Sequence, residues 1–326
     1  MLDPAREAAA DVLLQVLGSG RSLTAALERV RSGLERPQDR ALAQELAFGV
    51  MRGLPRQRLR LRVLLQQPLR ARDRDVEVAL LLGLQQLDGT RIPAHAAVHA
   101  SVELVKRSGK RWAAGLVNAV LRRCQREGFE RIDARAARLD SDAGDVLGYA
   151  HPAWLIAVLR KDWPEQWPSL CAANDARAPL VVRVNRRIGD RQSWLARLQG
   201  AGLAGSAHPL AADAVTLAAP CPVDALPGFA GGHVSVQDAA GQLVVDLLDL
   251  RPGQRVLDAC AAPGSKTAHI LEREPDLAEL VAMDQDPERL QRLRQGLRRL
   301  GLGATCPQAD AGDRDAWWDG RPFDRI

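Results

Sequence analysis

The apolar residues of this sequence change period along the chain, and that change restricts the fold more than any other feature. From residue 5 to about residue 130 they recur every three or four positions. Ala5, Ala8, Ala9, Val12, Leu13, Val16 and Leu17 line one helical face, and Gly18 and Gly20 end the run. Ser22 is placed to cap a second helix through Leu23, Ala26, Leu27 and Val30. Asp39 opens a third through Leu42, Leu46 and Val50, and Asp75 a fourth through Ala79, Leu80, Leu84 and Leu87. The stretch IPAHAAVHASVELVKRSG follows, with proline in its first turn, and RWAAGLVNAVLRRCQREG puts Trp112, Leu116, Val117, Val120, Leu121 and Cys124 on one stripe. Strand signals are missing here, so the pattern predicts an all-helical bundle.

The pattern then breaks. Residues 140–150, DSDAGDVLGYA, are small and acidic and read as a linker. Between His151 and Pro227 helical and strand patterns mix: HPAWLIAVLRKDW and DRQSWLARLQGAG read as helices, PLVVRVN and VTLAAP as strands. From about Val234 short apolar runs (RVLDACA, ELVAMDQ, ATCPQAD) alternate with helical segments at 265–274 and 287–300, the rhythm of a parallel sheet covered by helices. FDRI reads as the start of a fourth strand, and the segment 234–326 by itself is expected to be poorly stable through its open sheet edge. The expected fold class is therefore multidomain α and α/β, divided as a helical domain at 1–139, a small α+β linker module at 140–232, and an α/β domain at 233–326.

One stretch carries the chemistry. In VLDACAAPGSKTAHI, residues 256–270, a strand feeds a Pro-Gly turn that opens a helix, so backbone amides point into the crevice beyond the strand's carboxyl end. A nucleotide P-loop would need glycines where Ser265 and Cys260 stand, and a dinucleotide fingerprint fails because Gly264 is the only glycine between Gly253 and Gly296. The remaining reading is a nucleoside-bearing cofactor without a phosphate chain. Asp284 ends the second strand, where an acid accepts ribose hydroxyls, and Asp310 ends the third, within reach of an adenine amine. A compact sulfonium amino acid suits the single turn, and S-adenosylmethionine (SAM) has that shape. Acids at strand ends also serve as helix caps, so each aspartate alone has a structural explanation.

DACAAPGSKT resembles the D-x-C-A-A-P-G-G-K-T signature of the RNA cytosine-5 methyltransferases, departing only at Ser265. A helical domain similar to the antitermination factor NusB, ending in GLVNAVLRR, precedes HPAWL, LVVRVN, VSVQDAAGQLV and RLGLGAT in the order of the bacterial 16S rRNA methyltransferase B branch, also called Sun or Fmu. The resemblance implies a NusB-like RNA-binding domain, a small middle module and a Rossmann-like, here incomplete, SAM-dependent methyltransferase domain acting on 16S ribosomal RNA. Its cofactor residues map onto Cys260, Ala261, Ala262, Pro263, Gly264, Ser265, Lys266, Asp284 and Asp310. It further implies a cysteine adduct at cytosine C6 that activates C5, with the cysteines in D-A-P-C-S and T-C-S segments beyond the fourth strand. Neither segment occurs in these 326 residues, so no catalytic residue is assigned within the chain and its own activity is doubtful. The alternative is a non-catalytic RNA-binding protein that acts through the helical domain.

Charge and cysteines bound the partners. Net charge is +5, and of 45 basic residues only Lys106, Lys110, Lys161 and Lys266 are lysine, which leaves 41 arginines. Guanidinium forks suit phosphate oxygens, so a polyanion is a reasonable partner, and Arg52, Arg56, Arg58, Arg60, Arg62, Arg122, Arg123 and Arg126 are either such a surface or a solvated helix face. Cys124, Cys171, Cys221, Cys260 and Cys306 contain no C-x-x-C pair, which argues against zinc and disulfides and favours a reducing cytoplasm. No apolar run is long enough to cross a membrane, no secretory leader is read, and a monomer without metal is expected.

Overall fold

The computed structural model describes residues 3–176 and 178–326, and the chain divides into two compact units, Met1–Arg177 and Ala178–Ile326. The first unit is helical: α1 Pro4–Ser19, α2 Leu23–Arg31, α3 Pro37–Arg52, α4 Leu54–Leu64, α5 Arg74–Gly89, α6 Ala94–Arg107, α7 Ala114–Glu127, α8 Phe129–Ala136, α9 Ala143–Tyr149, α10 Ala153–Asp162 and α11 Trp167–Asp175. No strand occurs among its described residues. Ser22 caps α2 by accepting from the Ala25 amide, as its position predicts. Helix α3 starts two residues before Asp39, because Pro37 supplies the fixed φ of a first helical position. Its neighbour Asp39 pairs with Arg36.

Helix α5 is the centre of the bundle. It packs on α1, α3, α6 and α7, and Val76, Leu80, Leu81, Leu82 and Leu84 are fully buried. Its near-continuous apolar run VEVALLLGL therefore marks burial on every side, not one stripe. Gly83 is required by this packing: a Cβ there would sit 2.5 Å from Leu121 Cδ1 and 2.9 Å from Ser101 Oγ.

Three sequence expectations are corrected in this unit. Trp112 is 60 % exposed in a short 3₁₀ turn, off the buried stripe that Val117, Val120, Leu121 and Cys124 form. Residues 140–150 are not a linker, since α9 buries Ala143, Val146 and Leu147 at helical spacing beside Leu59 and Ile156. Within the arginine-rich α4, Arg56 and Arg60 belong to neither proposed surface. Arg56 donates to the carbonyls of Leu147 and Gly148 at the end of α9. Arg60, 4 % exposed, binds both oxygens of Asp133, also binds Asp88, and stacks over Phe129 at 4.4 Å. Arg52, Arg58, Arg62, Arg122 and Arg126 remain exposed.

The second unit holds two sheets. β1 (Val181–Val184), α12 (Arg191–Gly200), β2 (Gly205–Ala207), β3 (Ala214–Leu217) and β4 (Val234–Val236) build an antiparallel sheet of order β2-β3-β1-β4, with Val182 opposite both Val215 and Val236. Then come α13 (Ala239–Leu247), β5 (Arg255–Asp258), α14 (Ser265–Arg273), β6 (Glu279–Ala282) and α15 (Pro287–Arg299). β5 and β6 run parallel, Val256 opposite Leu280, and Leu290, Leu293 and Leu297 of α15 are buried with Ala261, Ala262 and Ala282. The FDRI segment joins the other side of β5 through Arg325 opposite Val256. The expected strand at ATCPQAD is present only as isolated parallel bridges, Val281 to Thr305 and Asp284 to Gln308. Pro307 lies between them and has no amide to continue the ladder.

Candidate cofactor site

The loop after β5 is built by backbone hydrogen bonds to β6. The Met283 amide donates to the Asp258 carbonyl at 3.0 Å, and the Ala261 amide donates to the Met283 carbonyl at 2.9 Å. Ala261 and Ala262 are thereby buried, while Cys260 and Pro263 remain exposed. The turn closes with the Gly264 amide on the Ala261 carbonyl at 2.8 Å. Gly264 has φ +102, and a Cβ there would lie 3.0 Å from Leu293 Cγ and 3.3 Å from Leu293 Cα. The backbone conformation thus requires glycine, and the approach of α15 leaves a Cβ little room.

Ser265 is the first residue of α14, and no side chain caps this helix. The amides of Ser265, Lys266 and Thr267 have no intrahelical acceptor at such a terminus and form a site for negative or strongly polar groups. Lys266 is exposed beside them. Thr267, which the motif reading passed over, is fully buried and donates its hydroxyl to Asp258 at 2.7 Å. Burial pushes the Asp258 carboxyl up, opposed by the Thr267 hydroxyl and the Lys266 charge and reinforced by Asp284.

Asp284 stands just past β6 and is 4 % exposed. One carboxylate oxygen accepts from the Ala262 amide at 3.2 Å and the other from the Asp286 amide at 3.0 Å. Arg289 lies 3.4 Å away, its own side chain half exposed, and also donates to the Ala262 carbonyl. A carboxylate offers about four acceptor positions, so this one retains capacity for further hydroxyls. Asp310 follows the Asp284–Gln308 bridge, is exposed, and accepts from the Gly312 amide at 2.8 Å. Asp258, Asp284 and Asp310 therefore succeed one another at the carboxyl ends of three neighbouring parallel segments.

Sequence reasoning missed the layer beneath the loop. Arg183, in the middle of β1, binds both oxygens of Glu272 on α14 and donates to the Ser265 carbonyl at 3.0 Å. The signal was available: an arginine inside the apolar run LVVRVN needs a buried partner. His269, 3 % exposed on the same helix, has neither ring nitrogen hydrogen-bonded among the described residues. Asp213 is 4.0 Å away but already bound by Arg186 and Arg273. Burial, together with the charges of Arg183, Arg273 and Arg186, pushes the imidazole down to about 3.

The cysteines behave as core residues or as part of the turn. Burial pushes Cys124 up to about 12 and also raises Cys171 and Cys306, the reverse of what an activated thiolate needs. No group of three His, Cys, Asp or Glu side chains that could hold a metal occurs among the described residues, and no helix is long and apolar enough to cross a membrane.

Three family matches run along the chain: the NusB family at residues 3–126, the RsmF/B-like methyltransferase ferredoxin-like domain at 151–224, and 16S rRNA methyltransferase RsmB/F at 245–326. Ribosomal RNA small subunit methyltransferase B of Pseudomonas putida is 50 % identical over 321 residues, covering 98 % of this chain and 72 % of the relative. The Vibrio cholerae protein of that name is 45 % identical, with 98 % and 72 % covered. The chain belongs to the ribosomal RNA small subunit methyltransferase B family. In this rRNA-methylating family member a NusB-like helical N-terminus is followed by a ferredoxin-like middle domain and a methyltransferase domain. The solved structure of PH0851 shares the fold, with TM-score 0.68 at 16 % identity over 96 % of this chain and 71 % of that one.

Proposed function

We propose that residues 258–310 hold S-adenosylmethionine and that the methyl group goes to C5 of a cytosine in 16S ribosomal RNA. The observation that carries this reading is the Ala261–Lys266 turn, closed on Leu293 and tied to Asp284, with uncapped helix amides beside it. When bound, the cofactor supplies an electrophilic sulfonium methyl. The first-turn amides of α14 would receive its carboxylate, Asp284 its ribose hydroxyls, and Asp310 its adenine amine. Cys260, Pro263 and Lys266 line the open side of the turn, and Ala261 and Ala262 form its apolar floor.

Cytosine C5 is a weak nucleophile until a thiolate adds to C6; C5 would then take up the methyl group, and a base would remove the C5 proton as the thiolate leaves. Cys124, Cys171 and Cys306, with their raised pKa values, are unsuited to that step. Cys260 sits in the cofactor turn itself. The nucleophile is therefore assigned to none of these residues. The division into a helical domain, a middle module and a methyltransferase domain belongs to the same proposal, with the helical part contacting RNA through its exposed arginines and the protein working in the cytoplasm as a monomer without metal.

The test is made in cells. Bisulfite sequencing of 16S rRNA from a strain lacking this gene is expected to show the loss of one 5-methylcytosine, restored by the gene in trans. An unchanged methylation pattern, with RNA binding that falls steeply with salt, would instead favour the non-catalytic RNA-binding reading.

A further inference from the structure

Arg183 is 1 % exposed in the antiparallel sheet, and a charge buried so deeply must be matched. Its Nε and Nη2 take the two Glu272 oxygens at 2.9 and 2.8 Å, which alone would tie the sheet to α14. The remaining nitrogen, Nη1, does something different. It is held by the Gln237 side-chain oxygen and donates to the backbone carbonyl of Ser265 at 3.0 Å. Ser265 is both the first residue of α14 and part of the turn assigned to the cofactor. Its carbonyl, at the start of a helix, already faces the amide four residues on, so the guanidinium adds a second, charge-assisted bond at the one peptide that joins turn to helix.

A second arginine provides the contrast. Arg299 of α15 donates to the carbonyls of Phe229 and Val234 and to Ser235 Oγ, and stacks over Phe229 at 4.3 Å. It fastens the other helix to the same module without touching the turn.

We propose that Arg183 is a positioning residue for the cofactor turn: from the ferredoxin-like module it fixes the first turn of α14 and so aims the amides of Ser265, Lys266 and Thr267 at an adenosyl amino acid. This rests on the cofactor reading above. The middle module thereby becomes part of the cofactor site, and not only a spacer between the helical and methyltransferase portions.

The test is titration calorimetry with S-adenosylhomocysteine, run well below the melting temperature of each variant. Lysine has its donors on one nitrogen and cannot grip both Glu272 oxygens while a separate nitrogen reaches Ser265. Arg183→Lys is expected to weaken binding about tenfold and to speed hydrogen exchange at the first-turn amides of α14. Arg299→Lys is expected to lower the melting temperature while leaving affinity within about twofold. Equal affinity of wild type and folded Arg183→Lys, or equal weakening by Arg299→Lys, makes the role purely structural and overturns the proposal. If Arg183→Lys does not fold, Gln237→Ala loosens the same nitrogen without removing the charge, and unchanged affinity there overturns the proposal equally. A wild-type chain that binds no S-adenosylhomocysteine overturns the cofactor reading and this inference with it.

Discussion

The Ala262 amide donates to the Asp284 carboxylate at 3.2 Å, across 22 positions of sequence. One acid thus closes the loop after β5 onto the end of β6 before any ligand is considered. Its structural role as an acceptor and its proposed role toward ribose use different lone pairs of the same carboxylate.

Asp284→Asn should separate those roles. The amide side chain has one acceptor oxygen, so it must abandon either the Ala262 or the Asp286 amide. Hydrogen exchange at Ala262 or Asp286 is expected to accelerate, and stability to drop by about 1–3 kcal/mol. Unchanged protection at both amides would contradict the hydrogen-bond assignment.

Gly264→Ala is expected to destabilise the second unit by about 1–3 kcal/mol from its positive φ, with a further cost from displacing Leu293. Leu293→Ala leaves a cavity of its own but gives the new methyl room. Urea unfolding of the double variant should therefore be less destabilised than the sum of the two single variants, by about 0.5 kcal/mol or more. Simple additivity would show that α15 does not press on the turn.

Arg60→Met tests whether the arginine density of α4 is structural. Breaking a buried pair costs about 3–5 kcal/mol when the partner stays buried. Here the carboxylates of Asp88 and Asp133 are 38 % and 30 % exposed and can rehydrate, so about 2–3 kcal/mol is expected. Exchange at α4 and α8 amides would report it locally, and wild-type protection there would contradict a structural role for Arg60.

His269 should make stability depend on pH. A histidine held at about 3 in the folded protein, against an ordinary value of 6.5, binds fewer protons folded than unfolded. Its contribution is full above 6.5 and falls as pH drops toward 3, by at most about 1.4 kcal/mol per pH unit. The unfolding free energy of wild type minus that of His269→Leu, followed from pH 6.5 to 5, is expected to fall, approaching that slope. A flat difference would mean that the imidazole is not buried as neutral.

Much of this architecture was legible because it rests on local pattern. The Ser22 cap, the helical periods of α1 and α7 and the strand-turn-helix at 256–270 each follow from neighbouring residues. What failed depended on distant ones. Helix α9 has only Val146, Leu147 and Tyr149 among Gly, Asp and Ala, too short a pattern to read alone, and Arg56 and Leu59, some ninety positions earlier, hold it in place. Arg60 resembles any surface arginine until Asp88 and Asp133 are brought to it. At the site, the loop and its two aspartates are visible in sequence, whereas Thr267, Arg289 and Arg183 act only through tertiary partners.

Titration of the 326-residue chain with S-adenosylhomocysteine, beside Asp284→Ala, shows whether the carboxyl ends of β5 and β6 hold the methyl donor. One site with affinity in the micromolar range is expected, weakened about thirtyfold or more when the ribose-facing carboxylate is removed. Wild-type binding that Asp284→Ala leaves intact, or no binding at millimolar ligand, would contradict it.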